Sequence, residues 1–444
     1  MKEHKISLMT AILLNMNIMI GSGILIGPAL IAAKSGAASF LAWPLTALIF
    51  LPMVLCTAQL GRMFPTGGGF YVYAREGLNQ TAGYMSGLLY TIGYTITVGA
   101  EVLAFRRTLL GVMEPNWFLN NAFLFNLVAV AVFMALNLMS FKFFSRLLNS
   151  LTIAKILPML IMILVLPFVI NWDFTITTPE LYALPSSFTF AIFGFFGFEY
   201  CSSLAHLIED SERNAPRAAL FGFLATAALY TLFHFGVLNL MGSEQLAALG
   251  APAFAQFLPA SLAFLKVILI FLIPLASVLI IFAAGNGIMN ANLMMMESMA
   301  KEGLFWKSSW VTKLNGNGRP WIAALIQAVV IMVIITLLPD ISHVGNLCNL
   351  GILFGYLLPF VSLLVLQRRR GETRMLPVSV AAIVATLGLL AYSFCQLGVT
   401  WGDRLWKFMP IVILVAIGFV VYMMRPTKRP LHMPEPEDLT PAAH

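Results

Sequence analysis

The sequence predicts an all-α integral membrane protein with twelve transmembrane helices. Of its 444 residues, 60% are hydrophobic and only 10% are charged, a composition far from that of a soluble domain. Apolar runs of roughly 18 or more residues recur along nearly the whole chain, and each is long enough to cross a bilayer. Most of the 26 Lys and Arg residues fall on one side of these runs, which is the positive-inside pattern of membrane proteins.

The predicted spans are 7–33, 40–61, 82–105, 121–140, 147–169, 187–207, 217–241, 262–299, 321–338, 344–367, 376–397 and 406–424. No cleavage-type site follows the long first run, so we expect a retained helix rather than a signal peptide. The charge bias places both termini in the cytoplasm and the chain in the cytoplasmic (inner) membrane. Residues 425–444 are Pro-rich and polar, which predicts a disordered cytoplasmic tail.

The charged and metal-binding residue types argue against several other functions. The net charge of +7 follows the membrane pattern, so no nucleic acid partner is expected. Cys56, Cys201, Cys348 and Cys395 lie in hydrophobic spans without ligand-like spacing, which indicates neither a disulfide framework nor a metal site. The six His residues are scattered. We therefore expect neither an enzyme nor a cofactor.

The first span carries an interruption, with the sequence MIGSGILIGP at residues 19–28. Glycine and proline are poor helix-interior residues, so the backbone is expected to break near Gly21 and Gly23. Unpaired backbone groups at membrane depth survive only where they line a protein-enclosed or watery cavity. The N–H groups of the second half-helix would then suit a carboxylate. The alternative is a glycine-mediated helix contact, since Gly23 and Gly27 form a small-xxx-small pair.

The sixth span repeats this feature with the sequence FGFFGFE at residues 193–199. The first span starts inside and the sixth starts outside, so the two interruptions lie at similar depth with opposite polarity. Such paired interruptions are typical of transporters built from inverted repeats, with the substrate site between them. The predicted halves are spans one to five and spans six to ten.

These segments make the chain similar to the amino acid–polyamine–organocation superfamily of secondary transporters, over residues 6–370. The matching motifs are IGSGI at 20–24, FP-x-GG at 64–68 with Tyr71 and Tyr73, GFE at 197–199, RNAPR at 213–217 and AKEGL at 300–304. The resemblance implies five-plus-five inverted repeats, at about 7–170 and 187–367, with broken first and sixth helices. Two extra helices at 376–424 would complete a single transporter domain over residues 1–424, which works by alternating access.

The resemblance also implies the residues that bind substrate. The α-carboxylate is expected at the Ser22 hydroxyl and the N–H groups of Gly23 and Ile24. The α-amino group is expected at carbonyls near Ile20 and at the second interruption. That interruption contributes the residues Phe193, Gly194 and Gly197. The ring of Phe193 is either a lid over the substrate or plain packing.

Two ionisable residues at membrane depth are candidates for proton coupling. Glu199 is a carboxyl near mid-membrane, where a charge is costly and usually functional; the alternative is a structural glutamate bonded to neighbouring helices. Lys155 lies too deep in span five for easy snorkelling. The resemblance places it where sodium-dependent relatives bind an ion, so it is expected to replace sodium. Its alternative role is a fixed contact with backbone carbonyls.

Other polar residues are weaker candidates for the transport pathway. Glu101 and Lys266 fall inside hydrophobic spans and are both expected nearer the outer face, Glu101 either attracting cationic substrates or anchoring at the interface. Asn286 and Asn290 of span eight would line the pathway or hydrogen-bond helices together. Tyr356 of span ten is a further pathway candidate.

The function predicted from the sequence is sodium-independent transport of amino acids, either coupled to protons or by exchange. A polyamine/amino acid antiporter is the first alternative, and a transport-like membrane sensor is a remote one. Aligned on Gly303, Ile288 stands where the similar arginine–agmatine exchangers carry an aromatic residue, which argues against a strictly arginine-type substrate. We expect lipid contacts and either a monomer or a homodimer. The side chain of the substrate and the direction of transport are not determined at this level.

Overall fold

The computed structural model of the protein describes residues 5–114, 116–171 and 175–425. Within these ranges the secondary structure is helical, apart from two isolated β-bridges. The predicted tail lies outside the described residues except for Arg425. The first half of the chain forms α1 (Leu8–Met19), α2 (Ser22–Ser35), α3 (Ala42–Met63), α4 (Gly69–Gly77), α5 (Gln80–Val112), α6 (Trp117–Asn120), α7 (Ala122–Asn137) and α8 (Phe141–Val169).

The second half of the chain forms eleven further α-helices. They are α9 (Thr178–Ala183), α10 (Phe188–Phe195), α11 (Tyr200–Ser203), α12 (Ser211–Met241), α13 (Ser243–Leu249), α14 (Ala263–Lys301), α15 (Ser308–Val311), α16 (Trp321–Leu337), α17 (Ile341–Arg370), α18 (Leu376–Cys395) and α19 (Trp401–Met423). Short 3₁₀ helices at 36–41, 184–187, 205–207, 251–257 and 260–262 connect some of them.

Each predicted span overlaps one or two of these helices. Among the described residues, nine helical stretches are long and apolar enough to cross a membrane. Three further apolar helices, α1, α7 and α16, are shorter than 18 residues; α1 is short because the chain leaves the helix after Met19. The protein is therefore a multi-pass, all-helical membrane protein.

The central contact of the bundle is a close crossing of α5 and α17. Glycine makes it possible, because a Cβ atom built on Gly351 would lie only 2.6 Å from the Cα of Gly93. One turn further along α17, a Cβ on Gly355 would lie 2.8 Å from the backbone nitrogen of Tyr90. Small residues let helix backbones approach in this way inside membranes. The contact fixes α5 and α17 beside the interrupted helices.

Trp43 of α3 supports both interrupted helices from the opposite side. Its indole nitrogen donates a 2.7 Å hydrogen bond to Nδ1 of His234 in α12. The ring then fills the space beside Gly27 of α2 and Gly194 of α10, where Cβ atoms would lie 3.3 and 2.8 Å from it. The two glycines are needed because any side chain there would push the indole away.

A Gly351→Ala substitution tests the α5–α17 crossing. The new methyl group would overlap the α5 backbone, which cannot retreat as a side chain can, so we expect a loss of about 1–3 kcal/mol in stability. The melting temperature of the purified protein in detergent, followed by its tryptophan fluorescence, should fall by several degrees. Gly388→Ala in α18 is the control, since a Cβ there meets nothing within 4 Å. Equal melting temperatures for the two variants would contradict the crossing.

Candidate functional site

The first interruption separates α1 from α2 by two residues. Ile20 still donates its N–H to the Met16 carbonyl at 2.8 Å, but its ψ angle of 77° turns the chain out of the helix. Gly21 is extended, with φ −111° and ψ −155°, and α2 begins at Ser22. Carbonyls at the end of α1 and N–H groups at the start of α2 therefore lose their helical partners. Buried in the bundle, they require other ones.

Lys155 and Tyr230 supply hydrogen-bond donors to the end of α1. The Lys155 ammonium, which is fully buried, donates to the carbonyls of Asn17 at 2.8 Å and Ile20 at 2.6 Å. The Tyr230 hydroxyl donates to the Met19 carbonyl at 2.5 Å. A cation is favoured at this position because the C-terminal end of a helix carries negative partial charge.

Glu101 supplies the acceptor at the start of α2. Its carboxylate accepts the Ser22 N–H at 3.2 and 3.3 Å and the Ser22 hydroxyl at 3.0 Å. The expectation that Glu101 lies nearer the outer face is wrong. The side chain is 1% exposed, and a Cβ on Gly21 would lie 2.7 Å from its Oε1. The reason is that α5 places residue 101 at the depth of the interruption.

The second interruption packs directly against the first. After α10 ends, Gly197 takes a φ of +105°, and its lack of a side chain makes room for Ile18 of α1. Asn15 of α1 bridges the two segments, because its amide nitrogen donates to the Phe198 carbonyl at 2.9 Å and its amide oxygen accepts the Cys201 N–H at 3.0 Å. The structure thus brings the two glycine-interrupted segments together.

Glu199 follows this second turn and is surrounded by hydroxyl donors. Tyr356 of α17 donates at 2.6 Å and Tyr90 of α5 at 3.1 Å, and Tyr94 of α5 donates as well. The Gly197 N–H adds a fourth bond at 3.2 Å. The carboxylate is 1% exposed and bonded to its neighbouring helices, as in the structural alternative above. Sequence reasoning missed Tyr90 and Tyr94; their spacing of four residues, which places them on one helix face, was the available signal.

A cavity of about 190 Å³ ends on the first interruption. It lies between α2, α5, α10 and α17, and its lining includes Ser22 and Gly23 at the start of α2, a surface that we call the floor. Phe193 borders it, with its ring 3.3 Å from where a Cβ on Gly23 would stand. Arg107 stands towards the opposite, open end, which we call the mouth. By the sequence prediction the mouth faces away from the cytoplasm.

The remaining residues predicted to bind substrate lie behind the cavity wall. Ile20 and Ile24 are fully buried, and Gly194 faces Trp43. Neither these three residues nor Gly197 belong to the cavity lining among the described residues. Their role in this conformation is to shape the two interruptions.

Asn286 and Asn290 hydrogen-bond helices together and are not among the residues that line this cavity. Asn290 accepts from Tyr200 at 2.8 Å and donates to the Asn137 amide oxygen at 3.2 Å. Asn137 also donates to the Asn286 carbonyl at 3.3 Å. These contacts agree with the second of the two alternatives, hydrogen bonds between helices, since buried amides in a bundle satisfy one another; the pathway role stays a prediction. Lys266 bonds the Gln256 carbonyl at an exposed position.

The arrangement is that of a membrane carrier. A small cavity borders the N-terminal end of α2 between two broken helices, which is a geometry suited to a small polar or zwitterionic solute. Catalytic chemistry is not indicated by this set of groups.

Comparison with known proteins identifies the carrier class. Residues 6–421 match the model of the amino acid permease family, so the chain belongs to that family. It is 24% identical over 407 residues to the serine/threonine exchanger SteT of Bacillus subtilis, covering 90% of this chain and 91% of the relative. It is 25% identical over 442 residues to the aspartate–proton symporter of the same organism, covering 91% and 80%. The protein is a membrane transporter, not an enzyme.

A Tyr356→Phe substitution tests the Glu199 cluster. Loss of a hydroxyl that donates to a buried carboxylate should cost about 1.5–3 kcal/mol of stability. We expect a lower melting temperature in detergent than for the wild type. Tyr182→Phe, at a side chain that is 83% exposed, is the matched control and should leave the melting temperature unchanged. If both variants melt like the wild type, the phenol does not hold Glu199 in the folded protein.

Proposed function

We propose that the protein carries amino acids across the cytoplasmic membrane by alternating access, as a sodium-independent secondary transporter. The observation that supports this most is the cavity whose floor is the start of α2, at Ser22 and Gly23. A helix N-terminus presents N–H groups and positive partial charge, which suit a carboxylate. The two relatives are named as transporters of amino acids, in agreement with this site.

In the proposed binding mode the α-carboxylate end of the substrate enters the cavity first. Its α-carboxylate would reach the Ser22 hydroxyl and the Gly23 N–H, while its α-amino group would turn towards carbonyls of the second interruption. Phe193, at the edge of the floor, would close over the bound substrate by rotation of its ring. The side chain of the substrate would then point towards the mouth, where Arg107 stands.

Alternating access requires the protein to be closed between the cavity floor and the cytoplasm in this conformation. The cluster of Glu199, Tyr90, Tyr94 and Tyr356 ties the second interruption to α5 and α17. Opening towards the cytoplasm would require these bonds to break, so Glu199 acts as part of an inner gate. The inverted repeats at about 7–170 and 187–367, the single domain over 1–424 and the cytoplasmic position of both termini belong to this proposal and stay predictions.

Sodium independence is supported by the position of Lys155. Its ammonium supplies positive charge to the Asn17 and Ile20 carbonyls, which is what a bound cation would otherwise do. Lys155 and Glu199 also stay the residues predicted from the sequence for proton coupling. Proton symport and substrate exchange both fit the proposal. One of the two relatives is named as an exchanger and the other as a proton symporter.

Polyamine transport is the alternative with less support. Neither Asp nor Glu occurs among the described residues that line the cavity, whereas Arg107 does. A substrate with two or more ammonium groups would be repelled there.

The experiment that tests the proposal uses purified protein in liposomes. Labelled amino acids and labelled putrescine are offered outside, and the liposomes contain either buffer or unlabelled amino acids, with and without an inward proton gradient. Uptake into empty liposomes only under the gradient would establish proton symport, and uptake only into preloaded liposomes would establish exchange. Replacing sodium by potassium should leave the uptake unchanged in both cases. No uptake of any amino acid would refute the proposal.

A Ser22→Leu substitution should abolish amino acid uptake. The leucine removes the hydroxyl at the cavity floor and fills the space that the carboxylate needs. Uptake into liposomes should fall at least tenfold, while the protein still elutes as a single species on size exclusion. Ser150→Leu, at an exposed position of α8, is the control and should transport normally. Uptake by Ser22→Leu above half of the wild-type level would place the substrate elsewhere.

A Lys155→Ala substitution should reduce uptake at least tenfold in both sodium and potassium buffers. It leaves the Asn17 and Ile20 carbonyls buried without their donor, and such unsatisfied groups are costly. Lys266→Ala removes an ammonium at an exposed position and serves as the control. A Lys155→Ala protein that transports at the wild-type rate with the wild-type pH profile would show that this amine is not needed.

A further inference from the structure

The Ser22 end of the cavity already holds a carboxylate in this structure, and it belongs to the protein. Both oxygens of Glu101 accept hydrogen bonds from Ser22, through the N–H and the hydroxyl. Ser22 is at the same time a lining residue of the cavity floor. A substrate carboxylate that reaches the floor therefore needs donors that Glu101 already occupies.

The charges around Glu101 make it hard for two carboxylates to share this place. No Lys, Arg or His of the described chain forms an ion pair with Glu101. The titratable groups that face it are Lys155 of α8, Tyr230 of α12 and Cys348 of α17. The protons of Lys155 are directed to the Asn17 and Ile20 carbonyls instead. On the remaining sides, α2 and α14 present the uncharged residues Ser22, Gly21, Ala284 and Gly285.

Two carboxylates at one buried site cannot both stay ionised without strong repulsion, so one of them takes up a proton. The substrate carboxylate would take over the Ser22 donors at the N-terminus of α2, where the positive partial charge of the helix end favours its charged form. Glu101 is 1% exposed and loses its Ser22 donors when the substrate arrives. Glu101 is therefore the group that becomes neutral.

We propose that the Glu101 carboxylate occupies the Ser22 donors when no substrate is bound, in the place of the substrate's own carboxylate. When the substrate arrives, Glu101 takes up one proton and releases these donors to it. This inference rests on the proposed function and deepens it, because it makes the bound species an amino acid together with a proton. In the covalent change, an O–H bond of a hydronium ion in the solvent breaks and an O–H bond to a Glu101 carboxylate oxygen forms, and the hydronium leaves as water. The neutral acid then donates that hydrogen to the arriving carboxylate or to the Ser22 hydroxyl.

The geometry provides both the route and the return step. Ser22 is 5% exposed and contacts Glu101 directly. Only the Ser22 side chain therefore separates the cavity floor from the Glu101 carboxyl. When the substrate leaves, Glu101 loses the proton and takes the Ser22 donors again. The carrier without substrate then has the ionised Glu101 carboxylate at the start of α2.

Glu101 differs in this respect from Lys155 and Glu199. Lys155 is bonded to carbonyls of α1, and Glu199 to three tyrosines and a backbone N–H. A substrate carboxylate does not compete for the partners of either. A carboxylate on the ligand is thus required for proton uptake: an amine without one would leave Glu101 ionised on Ser22 and would bind without a proton.

The test measures binding of an amino acid as a function of pH. The probe is the labelled amino acid with the highest uptake in the liposome screen, together with its amide, which lacks the carboxylate. Binding to the detergent-purified wild-type protein should weaken by up to about tenfold per pH unit as the pH rises, since each binding event consumes one proton. Calorimetry in two buffers of different ionisation enthalpy should count close to one proton taken up.

Glu101→Gln imitates the protonated acid and should remove this linkage. Its affinity for the amino acid should be independent of pH and at least equal to that of the wild type at low pH, with no proton uptake. Glu114→Gln removes a carboxyl at an exposed position just beyond α5 and should behave like the wild type. The amide should bind without proton uptake to all three proteins.

Two results would overturn the inference while leaving amino acid transport intact. The first is wild-type binding without proton uptake, which needs no variant and so holds even if Glu101→Gln fails to fold. The second is a Glu101→Gln protein, or the amide probe, with the wild-type pH dependence, which would assign the proton to another group. Absence of uptake of every amino acid in the liposome screen would refute the proposed function itself, and the inference with it.

Discussion

The structure depends on one constraint: a helix broken inside a membrane protein must find partners for the backbone groups that it frees. At the first interruption the partners come from three other helices. Lys155 and Tyr230 donate to the carbonyls at the end of α1, and Glu101 accepts from Ser22 at the start of α2. Each partner matches the partial charge of the helix end that it meets. The break is therefore a stable, defined feature, around which α5, α8 and α12 are positioned.

The second interruption obeys the same rule with different groups. Asn15 of α1 bonds Phe198 and Cys201 across the turn, so each broken helix helps to satisfy the other. Glu199 extends this set to the tyrosines of α5 and α17, and those two helices are already locked by glycine contacts. The two interruptions are thus joined by hydrogen bonds, a connection that the proposed alternating access would use.

In the proposed function, the groups that bind the substrate's carboxylate are distinct from those that decide what accompanies the substrate. The helix-end groups that favour a carboxylate belong to the backbone and depend little on side chains. What accompanies the substrate depends on the ionisable residues that share those groups, here Glu101 on Ser22 and Lys155 on Ile20. In the proposed mechanism the carboxylate that competes with the substrate for Ser22 is built into α5, so protonation of Glu101 accompanies substrate binding.

The sequence by itself determined the membrane class, the positions of the helices and the two interruptions, because apolar length and glycine in a helix act locally along the chain. It also indicated Ser22, Lys155 and Glu199 as unusual residues. Only the tertiary structure decided their partners. Glu101 meets Ser22 across 79 residues, and Tyr94 meets Glu199 across 105. Such pairs depend on the depth and rotation at which packed helices settle, and neither quantity is encoded in the hydrophobicity of any single span.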